Sequence, residues 1–562
     1  MIRKLYLPLL MAVLVAFTAS CKKMGPLSPD MFKVNPSPLE VKGGKVNAVV
    51  DGTFPEKYFN KKAEVTVTPV LVFNGQEAKS ASVTFQGEKV KGNNNTISYK
   101  MGGKYSLPVS FDYVPAMRKS ELFLDFKVKI KSKTYTLPRV KVADGVVSTE
   151  TLSSAADANP ALGADKFQRI INQAYRAQIL FLIQQANLRS SQLNSDEMKA
   201  LQDSMKLAVD AVNRELVGLE ISSYASPDGP WSLNDKLADS REKVTKGYME
   251  KQMKKGKYTT GIEGKFTAED WEGFKELMEK SDIQDKDLVL RVLAMYSDPA
   301  VRDEEIKKMS STFDVIAKEI LPQLRRSKLT ASVNIIGKSD EEIASLAKSN
   351  PSALNVEELL YAATLINADR YAIYQKVAEI YAQDFRGYNN LGLLEFEAGK
   401  LDKAEHYFKK AAEVAPTAPE VQMNLGLIEL VKGNNKKAEE YFGRAAAAEG
   451  INDALGILYT QNGDYANAVR VFADAKSNNA AVAQILAKEY NKAKTTLSGI
   501  QNPDATTYYL MAVVGARTNN ESMVINNLKE AIKMNSSYAK LAATDLEFAK
   551  FAGNADFNSL VK

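Results

Sequence analysis

The feature that most constrains this chain is an internal period in its C-terminal third. Leu391-Gly392 recurs 34 residues later as Leu425-Gly426, and again as Leu455-Gly456. The first unit, about 385–418, has Tyr388, Leu391, Gly392, Gly399, Ala404, Phe408, Ala411 and Pro416. The second, about 419–448, repeats Leu425, Gly426, Gly433, Ala438, Phe442 and Ala445. A third starts near 449, so its connection is shorter, and carries Leu455, Gly456, Tyr459, Gly463, Ala468, Phe472 and Ala475. Degenerate units follow around Ala493–Leu497 and at Met511, Ala512, Leu528 and Ala531. Another degenerate helix pair, Val356–Ile366 and Arg370–Ala382, precedes them. A period of this length means supersecondary units that cannot bury their apolar faces alone and must stack. Gly392 and Ala404 are expected where the two helices of a unit cross closely, with Phe408 filling the gap toward the next unit.

This pattern resembles the tetratricopeptide repeat. The resemblance implies an all-α superhelix over residues 352–562, capped by terminal helices ending in Ala549–Leu560. Its concave face commonly binds an extended peptide or a partner helix. That face would present Arg386, Asn389, Leu393 and Phe396 in the first unit and Glu420, Met423, Leu427 and Leu430 in the second. An alternative stands beside this one: the same residues pack against neighbouring helices of their own chain.

Residues 165–340 alternate strands and helices. The apolar run Ile179-Leu180-Phe181-Leu182-Ile183 reads as a buried strand. A helix is expected after Asn194, with Glu197 as a capping-box partner, and Met198, Leu201, Met205, Ala208 and Val212 form one face. Leu219–Tyr224 reads as a strand ending in the turn Ser226-Pro227-Asp228-Gly229, before a long helix from near Leu233. Another strand is expected around Tyr258–Ile262, then helical segments to about Leu324 and a last strand, Leu329–Ile336. Asn234, Leu237, Arg241 and Val244 have the N-x-x-L-x-x-x-R-x-x-V spacing of the OmpA-like peptidoglycan-binding domain, which this region resembles in an expanded form. That family grips diaminopimelate with an arginine at the position of Arg241, since a guanidinium holds a carboxylate by two parallel hydrogen bonds. The family's loop aspartate falls on Ser226, with Asp228 two residues on. Two readings follow: a variant cell-wall binder using Arg241 and Asp228, with Ser226 and Asn234 in the same loop and helix start, or an OmpA-like fold that has lost the ligand. Trp271 reads as a packing residue.

Residues 39–150 show period-two alternation, as in Leu124, Phe126, Val128 and Ile130 against Asp125, Lys127 and Lys129. Breaks fall at Asn74-Gly75, Gly92-Asn93-Asn94 and Gly102-Gly103. This predicts an antiparallel β-sandwich of immunoglobulin-like type.

The N-terminus completes the plan. Arg3 and Lys4 precede the apolar run Leu5–Phe17, then Thr18, Ala19, Ser20 and Cys21. Residues 1–20 resemble a lipoprotein signal peptide, with Cys21 as the lipidated residue and residues 21–38 as a linker. Lys22 and Lys23 follow, rather than the acidic cluster of surface-exported Bacteroidetes lipoproteins. The resemblance therefore implies an outer-membrane lipoprotein of that type, anchored in the membrane by its lipid and facing the periplasm.

One cysteine allows no internal disulfide, and one histidine, His406, makes histidine-dependent catalysis or a multi-histidine metal site untenable. A net charge of +6 over 562 residues gives no case for nucleic-acid binding. Gly337-Lys338-Ser339 lacks the earlier glycine of a phosphate loop, position 332 being Ser332. The expectation is a non-enzymatic envelope scaffold without cofactor, whose array binds an envelope protein. The alternatives are a peptidoglycan- or glycan-binding module with no dedicated protein partner and, remotely, a wall hydrolase.

Overall fold

The computed structural model describes residues 24–562; the signal-like segment, Cys21, Lys22 and Lys23 lie outside the described residues. The chain forms two compact units. One joins the N-terminal part through Ala164 to Arg370–Lys562, and the other is Asp165–Asp369.

The N-terminal part of the first unit is β-rich. Its strands are β1 (Phe32–Asn35), β2 (Val41–Lys42), β3 (Lys45–Phe54), β4 (Ala63–Phe73), β5 (Gln76–Lys79), β6 (Val83–Gly87), β7 (Asn95–Ile97), β8 (Gly103–Asp112), β9 (Ser120–Ile130) and β10 (Lys133–Gly145). One sheet centres on β3, paired with β1, β2 and β8; the other runs β10-β9-β4-β6-β7, with β5 also on β4. The alternation seen in sequence is the alternation of burial. Along β3, Val46, Ala48, Val50 and Phe54 are buried while Lys45, Asn47 and Val49 face out. Val50 and Leu107 from one sheet and Val65, Leu122, Leu124 and Phe126 from the other share a single hydrophobic core. Asn74-Gly75 closes the β4–β5 hairpin in two residues, both at positive φ (46° and 73°), which matches the right-handed twist of the flanking strands.

The rest of this unit is helical. After Arg370–Ile380 come pairs Phe385–Glu397 with Leu401–Val414, Pro419–Val431 with Asn435–Phe442, Ile451–Gln461 with Tyr465–Phe472, Asn478–Leu486 with Tyr490–Ser498, and Ala505–Arg517 with Glu521–Met534. Ser537–Ala542, Leu546–Phe551 and Ala555–Leu560 end the chain. The repeated Gly and Phe form a contact inside each of the first three pairs. A Cβ on Gly392, Gly426 or Gly456 would lie 2.6, 2.5 or 2.5 Å from the ring of Phe408, Phe442 or Phe472. Phe408 thus packs onto Gly392 of its own unit rather than only toward the next, because the ring needs the space a glycine leaves.

The second unit is built on the sheet β11-β14-β12-β13: β11 (Ile170–Leu180), β12 (Arg214–Tyr224), β13 (Ile262–Thr267) and β14 (Arg326–Ile336). β12 and β13 are parallel, joined by the helix Trp231–Lys255; the other pairings are antiparallel. That helix and Asp196–Asp210 bury Met198, Leu201, Met205, Met249 and Met253 against the sheet. Helices from Trp271 to Leu324 form a separate cluster around Phe274, Met278, Val289 and Ile316.

Details depart from the sequence reading. Ser195, not Asn194, caps the helix Asp196–Asp210, its hydroxyl accepting from Met198 N. The strand expected at 258–262 begins only at Ile262, because Lys257 takes a positive φ of 57° after the helix and turns the chain there. Leu182 and Ile183 are exposed beyond the end of β11. Helix Val356–Ala362, which the period assigns to the array, belongs to the second unit, where Glu358 accepts from Lys338 Nζ at 2.9 Å. Trp271 packs edge-on to Phe274 and donates to Glu269 Oε2 at 2.9 Å. Among the described residues, no helix is long and apolar enough to cross a membrane, and no group of three His, Cys, Asp or Glu could hold a metal ion.

Candidate functional site: the face lined by the first helices of the repeats

Aligning the Leu-Gly pairs places Asn390, Asn424 and Ala454 at one equivalent position. Aligning Tyr490 with Tyr465 adds Asn479. All lie on the first helix of their unit, and the three asparagines are at least nine-tenths buried. Unpaired amides there would each cost about 1–3 kcal/mol. They are paired with the chain itself.

The segment Ser148–Ala164, which leaves β10 and carries only two short 3-10 turns, lies along these helices. It runs from the C-terminal repeats toward the first. Asn479 Oδ1 accepts from Ser154 N at 2.8 Å while its Nδ2 donates to Ser154 O at 3.0 Å. Asn424 does the same with Ala161, at 2.7 and 2.9 Å, and Asn390 with Gly163, at 2.8 and 2.9 Å. Each side-chain amide thus meets both main-chain groups of one residue, as a neighbouring strand would. Asn389 Nδ2 adds a second donor to Ala161 O at 2.9 Å, and its Oδ1 accepts from Asn424 at 2.9 Å. Arg386, held by Asp384, donates to Ala164 O at 3.1 Å. We refer to Ser148–Ala164 as the strap.

Side-chain size is selected where the main chain is read. Ala155 and Ala161 are within the hydrophobic core of the repeats. A Cβ on Gly163 would lie 2.7 Å from Arg386 Cγ. Between these positions Ala156, Asp157, Asn159 and Leu162 face outward, as does Ala164 beyond them.

The start of the strap is anchored by charge. Glu150 accepts from Gly43 N and Gly44 N, each at 2.9 Å, and from Tyr465 OH at 2.5 Å. Burial, together with the Glu150 carboxylate, holds the Tyr465 phenol well above its usual pKa. Thr149 Oγ1 donates to Glu547, which Arg517 holds through two hydrogen bonds of 2.6 and 2.7 Å.

The residues expected on the concave face divide accordingly. Arg386 and Asn389 touch the strap. Phe396, Met423, Leu427 and Leu430 belong to the hydrophobic core of the repeats, and Leu393 is likewise buried, because the apolar side of each first helix stacks on its neighbours. Glu420 is half-buried at the start of its helix. Asn390, Asn424 and Asn479 were not singled out in the sequence, although the Asn preceding Leu-Gly in two units was a visible signal.

In the second unit, Arg241 is 1% exposed and its donors are directed at main-chain carbonyls: Nε to Gln185 O at 3.0 Å, Nη1 to Tyr224 O at 2.8 Å and Nη2 to Leu182 O at 3.4 Å. Burial, reinforced by nearby Arg325, pushes its pKa down to about 10. Arg325 donates to Ser226 Oγ at 3.1 Å and pairs with Asp228 at 3.3 Å, and Ser226 also donates to Asp228. Asn234 Nδ2 bonds Gly229 O at 3.0 Å, bracing the turn. The first of the two sequence readings placed a ligand carboxylate on Arg241 and a ligand ammonium on Asp228. In this structure main-chain carbonyls take the first and Arg325 the second.

No curated protein matches the chain in sequence. Among solved structures it is similar to a tetratricopeptide repeat protein from Parabacteroides merdae, at 16% identity and a TM-score of 0.26, covering 52% of this chain and 98% of that one. It is similar also to YrrB, described as a tetratricopeptide protein with an unusual peptide-binding site, at 19% identity and a TM-score of 0.23, covering 32% and 97%. PilF of Pseudomonas aeruginosa matches at 14% identity and a TM-score of 0.26, covering 38% and 96%. A family model, the tetratricopeptide repeat, matches residues 389–454, the stretch that carries Asn389, Asn390 and Asn424. The C-terminal helical region of this chain carries tetratricopeptide repeats.

Proposed function

We propose that this protein is a non-enzymatic scaffold of a bacterial cell envelope, whose repeat array binds a protein partner. The observation that carries the reading is the row of buried asparagines that already holds an extended segment by its main chain. Tetratricopeptide arrays serve this role through stacked helix pairs that present an extended surface. The test is affinity purification of the tagged full-length chain from crosslinked cells of its native host. A defined protein should be recovered in stoichiometric amount, and lost when surface residues of the array are changed. Recovery of nothing above an untagged control contradicts the reading.

The envelope setting rests on the N-terminal sequence, with Cys21 lipidated and inserted in the outer membrane on its periplasmic side. Incorporation of labelled palmitate, abolished by Cys21→Ser, tests it. For residues 165–340, the OmpA-like reading rests on the spacing around Arg241 and on the strand–helix–strand order. The engagement of Arg241 by carbonyls and of Asp228 by Arg325 supports the version of that fold without a diaminopimelate grip. Purified full-length protein is then expected to remain in the supernatant when peptidoglycan is sedimented. Pelleting with peptidoglycan would restore the wall-binding version.

A further inference from the structure

We infer that the row of asparagines is a backbone-reading peptide groove whose resident occupant is the strap, and that it takes from a partner an extended segment with small residues at the read positions, in exchange for the strap. The inference rests on the scaffold reading and names its partner chemistry.

Three observations carry it. First, recognition is directed at the main chain. Asn479, Asn424 and Asn390 each pair with both the N–H and the C=O of one strap residue, and only at Asn479 does a strap side chain join, the Ser153 hydroxyl donating to its Oδ1 at 3.2 Å. Any extended segment offers the same groups. Second, the side-chain requirement is only for size. Ala161 is 3% exposed and Gly163 has no room for a Cβ. Leu162 between them is 39% exposed, so the intervening position is open to any residue. The specification is therefore small-x-small across the first two repeats, as Ala161-Leu162-Gly163 is. Third, the strap is neither a strand nor a long helix of its own, so leaving the groove breaks side-chain bonds and the packing of Ala155 and Ala161 rather than a ladder.

A tethered occupant competes at an effective concentration on the order of millimolar. For an external peptide binding the open groove at ~10 μM, the closed chain would bind ~100-fold more weakly. The strap thus sets a threshold that only a well-matched or multivalent partner exceeds.

The probe is a fluorescein-labelled synthetic peptide of residues 148–166, titrated by fluorescence anisotropy into the full-length chain. Ala161→Glu in the chain, with the peptide left wild type, should open the groove and strengthen binding by about 100-fold over the wild-type chain. Adding Asn389→Ala and Asn424→Ala to the opened chain should return binding to the wild-type level or below. A peptide carrying glutamate at position 161 should not bind. Far-UV circular dichroism verifies that the opened chain keeps its helices, and Gly163→Ala gives a milder opening should Ala161→Glu unfold it. Failure of both folded opened chains to bind, or equal binding by open and wild-type chains, overturns the inference. Either result leaves the scaffold reading to its own purification test. Peptide binding without any recovered partner would instead count against the scaffold reading alone.

Discussion

Asn424→Ala is the substitution that most directly weighs the strap. Asn424 is fully buried and makes three hydrogen bonds of 2.7–2.9 Å: from Ala161 N, to Ala161 O and to Asn389 Oδ1. Removing the amide leaves Ala161 O with its bond from Asn389. It deprives Ala161 N–H of its acceptor and Asn389 Oδ1 of a donor, both at buried positions. At about 1–3 kcal/mol for each stranded buried group, the expected loss is about 3 kcal/mol. The assay can be made specific to one unit. Both tryptophans, Trp231 and Trp271, lie in the second unit, so tryptophan fluorescence follows that unit, while far-UV circular dichroism also reports the array. Asn424→Ala should lower the array's transition by about 6–12 °C, at about 2–4 °C per kcal/mol, and leave the fluorescence transition in place. Leu162→Ala, on the exposed part of the strap, should stay within about 0.5 kcal/mol of wild type. A shift below about 1 kcal/mol for Asn424→Ala would refute the reasoning, because the amide would then not be holding a buried main chain.

Three further substitutions probe the framework. Gly426→Ala places a Cβ 2.5 Å from the Phe442 ring and should destabilise the array by about 1–3 kcal/mol, read by circular dichroism melting. Arg241→Ala strips three carbonyls of a donor and opens a cavity at a 1% exposed site; a loss of about 4 kcal/mol, read by tryptophan fluorescence, is expected. Loss of any wall association in that variant would then report unfolding rather than a missing ligand contact. Glu405 accepts from Lys409 at 2.8 Å and Lys432 at 2.6 Å, which hold its carboxyl below the usual range. A depressed carboxyl pKa stabilises the fold above the unfolded value of about 4.3, and the gain is lost as pH falls through the folded value. Glu405→Gln should therefore cost stability in urea titrations at pH 7 and converge with wild type at pH 3.

The repeats were legible because their signal is local and recurrent. Gly392, Gly426 and Gly456 must be small for the same reason, and three copies of one constraint stand out from a single sequence. The β-rich region was legible through alternation, and Asn74-Gly75 through its turn geometry. What the sequence hid was long-range. Nothing in Ser153–Ala164 marks it as a ligand, since its small residues read equally well as a linker, and its recognition lies in asparagines more than 200 residues away. Asn389 and Arg386, expected on the concave face, meet the strap, while the apolar residues beside them are drawn into stacking of the helices themselves. The sequence left Arg241 between two readings for a related reason. Its spacing fits a family pattern, whereas its partners, Leu182, Gln185 and Tyr224, act through carbonyl oxygens that sequence does not reveal.

The most direct measurement is amide hydrogen exchange of the native full-length chain, resolved to Ser154, Ala161 and Gly163. With Asn479, Asn424 and Asn390 accepting these three N–H groups, exchange should be slowed to the rates of the repeat helices, and Asn424→Ala should accelerate Ala161 by about 100-fold for a 3 kcal/mol loss. Exchange at all three positions as fast as in a free linker would contradict the account.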